Sequence, residues 1–288
     1  MAHEKGSQEI LLGIQKALDT NTGFLVGRFG TIEFDACWAP EITKDIAFVL
    51  ERNAGIFPST MDSIRKWVSA TKEAFQAADI LATGWYAPIV KREQFLLTAW
   101  QVNAKQIVLR GLEPYYSSSE VRWTRALAGQ KVCVVSSFTA TMASQIAKGE
   151  AAIWAPAEGS LWPPAEWSWV NTGYAPSMSL GRAAWPNDPI CWEESINYVV
   201  ERVMETDARI VLIGCGGLGM IIGGELKKRG KICIVMGGAI QVLFGIKGER
   251  WKNHEVISKF WNDQWVYPSA AETPGGAAAV ENSCYWSR

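Results

Sequence analysis

Residues 209–236 constrain the fold of this chain more than any other stretch. Arg209-Ile-Val-Leu-Ile213 is an apolar run of the kind found in strands buried on both faces. Gly214-Cys-Gly216-Gly217-Leu-Gly219 follows it at G-x-G-x-x-G spacing, a helical segment runs to Arg229-Gly230, and a second apolar run occupies 231–236. This order predicts a βαβ unit, two parallel strands bridged by a helix. Glycine lets the backbone turn tightly and approach a ligand, and a helix N-terminus offers N–H groups to a phosphate. Close helix–strand packing without a ligand explains the same glycines. The uncharged stretch between Arg209 and Glu225 is 15 residues long and holds six glycines, too short and too glycine-rich to span a bilayer.

Further strand-like runs lie at 23–27, 79–85, 106–109 and 131–136, alternating with segments of helical period. Ile64, Trp67, Val68, Thr71 and Phe75 share one helical face behind Ser59 or Thr60 as N-cap. Ile196, Val199, Val200 and Val203 do the same before the strand at 209. Alternating elements predict an α/β fold: a Rossmann-like, open, mainly parallel sheet with helices on both faces. No internal repeat or low-complexity linker divides the 288 residues, so the expectation is a single domain over 1–288. Residues 151–192 carry six Trp and six Pro and read as a long ordered insertion leaving the sheet. Residues 261–288, rich in Trp, Pro and Gly, read as a tail wrapping back over the body.

Composition removes several chemistries. With 28 Lys+Arg against 29 Asp+Glu, the formal charge of −1 gives no basic face for nucleic acid. The six cysteines are scattered without a C-x-x-C pair and read as buried thiols. Of the two histidines, His3 is expected at a loose terminus, leaving only His254. A His-rich zinc site or a Ser-His-Asp triad therefore lacks material, and proton transfer falls to carboxylates. No apolar signal-like stretch opens the chain, which predicts a cytoplasmic location.

A second informative element is Phe24-Leu-Val-Gly-Arg28-Phe29-Gly30-Thr31-Ile32-Glu33-Phe34-Asp35. Ligand sites form at strand C-terminal ends in open α/β sheets. Arg28 there can hold a phosphate or carboxylate in bidentate fashion, and Gly30 leaves room for the ligand. If the chain stays extended, Glu33 and Asp35 point the same way and make a metal clamp or a base. A buried Arg–Glu ion pair fits the same residues equally well. The loops at 214–219, at 237–238 and at Ser136-Ser137-Phe138-Thr139-Ala-Thr141 all follow expected strands, so all should converge on one sheet edge. Gly237-Gly238-Ala-Ile-Gln241 leading to Lys247 and Arg250 reads as a diphosphate or donor-sugar loop, or as a surface helix with solvated cations.

Arg28-x-Gly30-x-x-Glu33 after an N-terminal strand resembles the Arg-Phe-Gly-Asp-Gly-Glu start of the GT-D fold glycosyltransferases. The resemblance continues at Leu127-Ala-Gly-Gln-Lys131-Val-Cys-Val-Val-Ser-Ser137-Phe138, which is similar to that family's middle strand and loop. It recurs over 209–251, where the Gly-rich strand–helix–strand leads into Met236-Gly237-Gly238. The resemblance implies a nucleotide-sugar donor, foremost a uridine diphosphate sugar, and transfer to a carbohydrate acceptor. It also implies that the Arg and the acidic region meet the diphosphate and a divalent metal, Mn or Mg. Arg28, Gly30 and Glu33 match the family's motif, but Thr31 stands where the family has Asp. Either Glu33 then works with Asp35 in a shifted metal pair, or the diphosphate is neutralised without metal by Arg28, Lys247 or Arg250.

The expected site thus has Glu33 as catalytic carboxylate and Asp35 second. Arg28, Gly30, Thr31, Ser137, Thr139, Gly214, Gly216, Gly217, Gly237, Gly238, Gln241, Lys247 and Arg250 are expected on the nucleotide sugar. Glu272 and Glu281 are outside candidates for a base. Most tryptophans read as loop core, with one to three facing a glycan. Two other classes stay open. Gly214–Gly219 also suits an S-adenosylmethionine methyltransferase or an NAD-dependent dehydrogenase, although Met236-Gly237-Gly238 lacks the carboxylate that holds a dinucleotide ribose. A non-catalytic glycan-binding protein would use the aromatic surface alone.

Overall fold

The computed structural model of the chain describes residues 1–154, 160–280 and 283–287. Seven described strands form one sheet: β1 (Phe24–Arg28), β2 (Ile80–Thr83), β3 (Lys105–Val108), β4 (Lys131–Ser136), β5 (Glu166–Asn171), β6 (Ile210–Gly214) and β7 (Ile232–Val235). Their order is β3-β2-β1-β7-β6-β4-β5, and every pairing is parallel. Unbroken apolar runs demand cover on both faces, and β6 and β7 are almost entirely buried. The fold is the Rossmann-like α/β architecture that the alternating pattern predicts.

Parallel registration gathers the strand C-termini on one edge. Val26 pairs with Ile234, Ile213 with Val235, and Ser136 with Gly214. The chain leaving β1 turns toward β2, whereas the chain leaving β7 turns toward β6, where a Cβ on Gly214 would collide with Ile240. The crevice between β1 and β7 is therefore a switch point, where open α/β sheets bind ligands.

The helix Met61–Gln76 starts as its sequence predicts, with Thr60 Oγ1 accepting the Ser63 N–H at 3.2 Å. It buries Ile64, Trp67, Thr71 and Phe75. The helix Trp192–Met204 buries the expected Ile196, Val199, Val200 and Val203.

Three segments differ from expectation. Residues Ala2–Asp19 form a helix instead of a loose end, because Ile10, Leu11, Ile14 and Ala17 share one buried face; His3 thus belongs to an ordered element. The Trp/Pro-rich insertion contains β5, an edge strand on β4. Strand alternation puts Trp167 and Trp169 on one face, stacked at 6.2 Å and meeting Phe244 at 5.6 and 6.0 Å. Residues Thr31–Trp38 are helical rather than extended, with Gly30 as N-cap.

Most tryptophans are core, and several of their indole N–H groups donate to backbone carbonyls. Trp154 and Trp162 both donate to Leu243 O, and Trp265 donates to Ile153 O. Trp286 donates to Glu272 O at 3.2 Å, fastening the tail. No helix among the described residues is long and apolar enough to cross a membrane.

Candidate functional site

Three adjoining clefts open on the C-terminal edge of the sheet. The first, about 120 Å³, lies at the β1/β7 crevice and is lined by Arg28, Glu33, Asn53, Gly216, Gly237 and Arg250, among others. The second, also about 120 Å³ and more apolar, includes Ser137, Tyr174, Trp185 and Gly214. The two share Asn53, Gly216, Gly237, Gly238, Val280 and Tyr285 as a common wall. The third, about 1010 Å³, lies beyond β1 toward β2 and β3 and includes Thr31, Trp85, Arg110 and Glu113. Arg28 and Arg250 line both the first and the third.

Two glycines in the shared wall hold conformations that other residues adopt poorly. Gly216 has φ +45°, and a Cβ there would sit 2.9 Å from Ala54 O. Gly237 has φ +59°, and its Cβ position lies 3.4 Å from Arg28 Nη2, which puts the guanidinium against the turn after β7. Gly217 O accepts the Trp67 indole N–H at 2.9 Å, tying the glycine loop to the helix Met61–Gln76.

Arg28 lies with Cζ 5.0 Å from the Trp85 ring centroid, a cation–π support that fixes the guanidinium. Trp85 is carried by a turn at Gly84, φ +69°, whose N–H donates to Glu93 Oε2 at 2.8 Å. Glu93 is buried, and burial pushes its carboxyl above the usual carboxylate range. Arg250 is held similarly, with Cζ 4.6 Å from the Tyr285 ring centroid and Nη1 3.1 Å from its hydroxyl.

Glu33 lies in the first turn of the helix Thr31–Trp38, where the dipole favours a carboxylate. Its carboxylate folds back over Gly30, into the space a Cβ there would occupy. The expected Glu33/Asp35 clamp does not form. On a helix, residues two apart project on nearly opposite sides. Glu33 accordingly lines the first cleft, while Asp35 lines the third and is 4.0 Å from Arg92. Among the described residues no group of three or more His, Cys, Asp or Glu side chains could hold a metal ion. The shifted Glu33/Asp35 metal pair therefore does not form, and Glu33 is the carboxylate the first cleft offers a cation held jointly with a diphosphate.

The structure brings Arg28, Gly30, Thr31, Glu33, Gly216, Gly217, Gly237, Gly238 and Arg250 to the first cleft. It brings Ser137, Gly214 and Gln241 to the second. Ser137 Oγ is 2.7 Å from the Tyr174 hydroxyl. Gln241 is fully buried, and its Nε2 donates to Lys247 O at 2.6 Å and Tyr285 O at 2.7 Å, so its donors hold the tail. Thr139 and Lys247 line none of the three clefts: Thr139 Oγ1 donates to Asn171 Oδ1 at 3.1 Å, and the Lys247 ammonium lies 5.6 Å from the Trp261 ring centroid. Glu272 is no free base, because its carboxylate is buried against the N-terminus of the helix Thr139–Lys148, accepting the Ala140 and Thr141 N–H groups at 2.9 and 3.1 Å. Glu281 lies outside the described residues. Cys215 lines the second cleft, but burial pushes its thiol up to about 12, which removes it as a nucleophile.

Site residues that the sequence does not single out include Asn53, Trp85, Glu113, Tyr174 and Tyr285. Glu113 was the accessible one, a carboxylate just past the strand expected at 106–109. Burial pushes its carboxyl up to about 7, against the pull of Arg28 and Arg110.

No family model and no curated protein matches the sequence. The chain is similar to a solved structure of the highly conserved domain of unknown function 1792, described as having a distinct glycosyltransferase fold. That alignment covers 94% of this chain and 96% of the other at 11% identity, with a TM-score of 0.47. A selenomethionine-substituted structure of domain of unknown function 1792 aligns over 82% of each chain at 12% identity, with a TM-score of 0.45.

Proposed function

We propose that this protein is a glycosyltransferase that moves a sugar from a nucleoside diphosphate sugar, foremost a uridine diphosphate sugar, to a carbohydrate acceptor. The observation that carries this reading is the convergence of Arg28, Glu33 and the turns at Gly216 and Gly237 on one cleft at the β1/β7 switch point. The apolar second cleft, with Tyr174 and Trp185, suits the nucleoside. The diphosphate would then cross the glycine wall, within reach of Arg28 and Arg250. As the anomeric bond breaks, negative charge gathers on the departing diphosphate, and these guanidiniums, already oriented by Trp85 and Tyr285, neutralise it without reorganising. Glu33 would face the donor sugar, where a carboxylate steadies the positive charge developing at the anomeric carbon. The N-terminal Arg28/Glu33 arrangement has no part in a methyltransferase or dehydrogenase reading of the glycine loop, and no carboxylate stands at Met236-Gly237-Gly238 to hold a dinucleotide ribose.

Thermal-shift titration with UDP and GDP, each with and without Mn²⁺, beside NAD and S-adenosylmethionine, tests the reading. Stabilisation by a nucleoside diphosphate is expected. Stabilisation by NAD or S-adenosylmethionine alone would replace this function with one of theirs.

A further inference from the structure

We infer that the third cleft is the acceptor-sugar site and that Glu113 is the group that takes the acceptor's proton. The inference rests on the transferase reading above and extends it to a site that no sequence motif marks.

The cleft has the walls a pyranose needs. Trp85, Tyr86, Tyr116 and Trp251 line it; Arg28, Arg110 and Arg250 lie over Trp85, Tyr116 and Trp251, so exposed Tyr86 is the ring left to meet the apolar side of a sugar, with the three guanidiniums set beside it for the sugar's hydroxyls. It also has the right neighbour. Arg28 stands in its wall and in that of the first cleft, so a hydroxyl bound here lies across one guanidinium from the diphosphate.

Glu113 is built into this place by its surroundings. It follows the short helix Leu109–Leu112 after β3 and precedes Pro114, which holds it extended at φ −95°, ψ 98°. The backbone on either side is pinned: Trp123 Nε1 donates to Leu112 O at 2.9 Å, and buried Arg122 Nε donates to Pro114 O at 3.1 Å. The charged and titratable groups around it are Arg28 from β1, Arg110 from the preceding helix, Tyr115 and Tyr116 from the following turn, and Glu255 on the far side of Arg110. His3, Asp35, Arg250 and His254 share the cleft. Burial outweighs the two cations and the Tyr115 hydrogen bond and pushes the carboxyl up to about 7, where a general base works best.

The step balances as follows. The acceptor hydroxyl oxygen attacks the anomeric carbon while the bond from that carbon to the diphosphate oxygen breaks. The bonding pair leaves with the nucleoside diphosphate, and the hydroxyl proton passes to a Glu113 carboxylate oxygen, later returning to water. Direct displacement of this kind inverts the anomeric centre.

The test compares wild type, Glu113→Gln and Glu113→Asp. UDP binding is measured by calorimetry, and nucleoside diphosphate release is followed from UDP-glucose, UDP-galactose, UDP-N-acetylglucosamine and GDP-mannose, to water and to added methyl glycosides, from pH 5 to 9. Glu113→Gln should bind UDP as tightly as wild type or tighter, since its amide leaves the Arg28 charge unopposed. Its kcat should fall about 10²- to 10⁴-fold, and the wild-type rise in kcat/KM through about pH 7 should vanish. Glu113→Asp should recover that pH limb at reduced rate. Wild-type turnover with an unchanged pH limb in Glu113→Gln overturns the inference alone. Failure of wild type to bind UDP or GDP, or to turn over any donor, overturns the transferase reading and the inference with it.

Discussion

Replacing Glu272 with Ala separates a structural carboxylate from a chemical one. Its Oε1 accepts the Ala140 and Thr141 N–H groups at 2.9 and 3.1 Å, and its Oε2 accepts the Ser269 N–H at 3.3 Å, the Ser269 hydroxyl at 2.8 Å and the Thr141 hydroxyl. Glu272 therefore caps the helix Thr139–Lys148 from 120 residues and more away in sequence, and pins the tail to β4's following helix. Losing a helix cap costs about 1–2 kcal/mol. Buried donors left without an acceptor add about 1–3 kcal/mol, since only those that water cannot reach bear the full penalty. The sum is about 2–5 kcal/mol. At about 2–4 °C per kcal/mol for a chain somewhat smaller than this one, the melting temperature should drop by roughly 5–15 °C. Thermal unfolding followed by circular dichroism at pH 7 reads this directly, with nucleoside diphosphate release from the same four donor sugars measured well below the transition. Glu272→Gln keeps one carbonyl oxygen for the helix N–H groups and should lose less than half as much. A Glu272→Ala protein that melts with wild type refutes the capping argument. Lost turnover at unchanged melting would instead return Glu272 to the role of base that the sequence alone permits.

Arg28→Lys keeps the charge but loses the planar fork and the Trp85 stacking, so UDP affinity should weaken by about 10- to 100-fold in calorimetry with the melting temperature nearly unchanged. Equal affinity would remove Arg28 from the diphosphate. Gly216→Ala forces a side chain into φ +45° and against Ala54 O, and should cost about 1–3 kcal/mol in urea unfolding while also weakening UDP. A stable variant with unaltered UDP binding would show that the glycine turn carries no ligand. Glu113 also makes stability depend on pH. Its folded value of about 7 lies above the ordinary 4.5, so its contribution is complete below about 4.5 and is lost as pH rises through about 7. Glu113→Gln should therefore gain stability over wild type between pH 5 and 8, and a difference between the two that is flat across that range would contradict the buried carboxyl.

The sheet was legible because burying a parallel strand on both faces leaves a run such as Val132-Cys-Val-Val135 that nothing else explains. Its edge was less legible. β5 is half exposed, and its Trp167 and Trp169 look like loop aromatics until Phe244, from the far end of the chain, supplies the surface they pack on. The site divides along the same line. Arg28, Gly216 and Gly237 could be read because strand-end geometry is local, and parallel registration then delivers all three to one edge. An extended chain would bring Glu33 and Asp35 together, and one helix N-cap at Gly30 is enough to part them. Glu272 looked like a free carboxylate because its partners, Ala140 and Thr141, lie on a distant helix. Trp85, Asn53 and Tyr285 carry no signature at all, since each matters only through what the fold sets beside it: a guanidinium, a glycine turn, a second arginine. Local backbone rules thus locate where a ligand can sit. The charges and rings that select the ligand depend on contacts between distant segments, and Glu113, whose proton affinity is set by burial and by Arg28 arriving from another strand, belongs to that second kind.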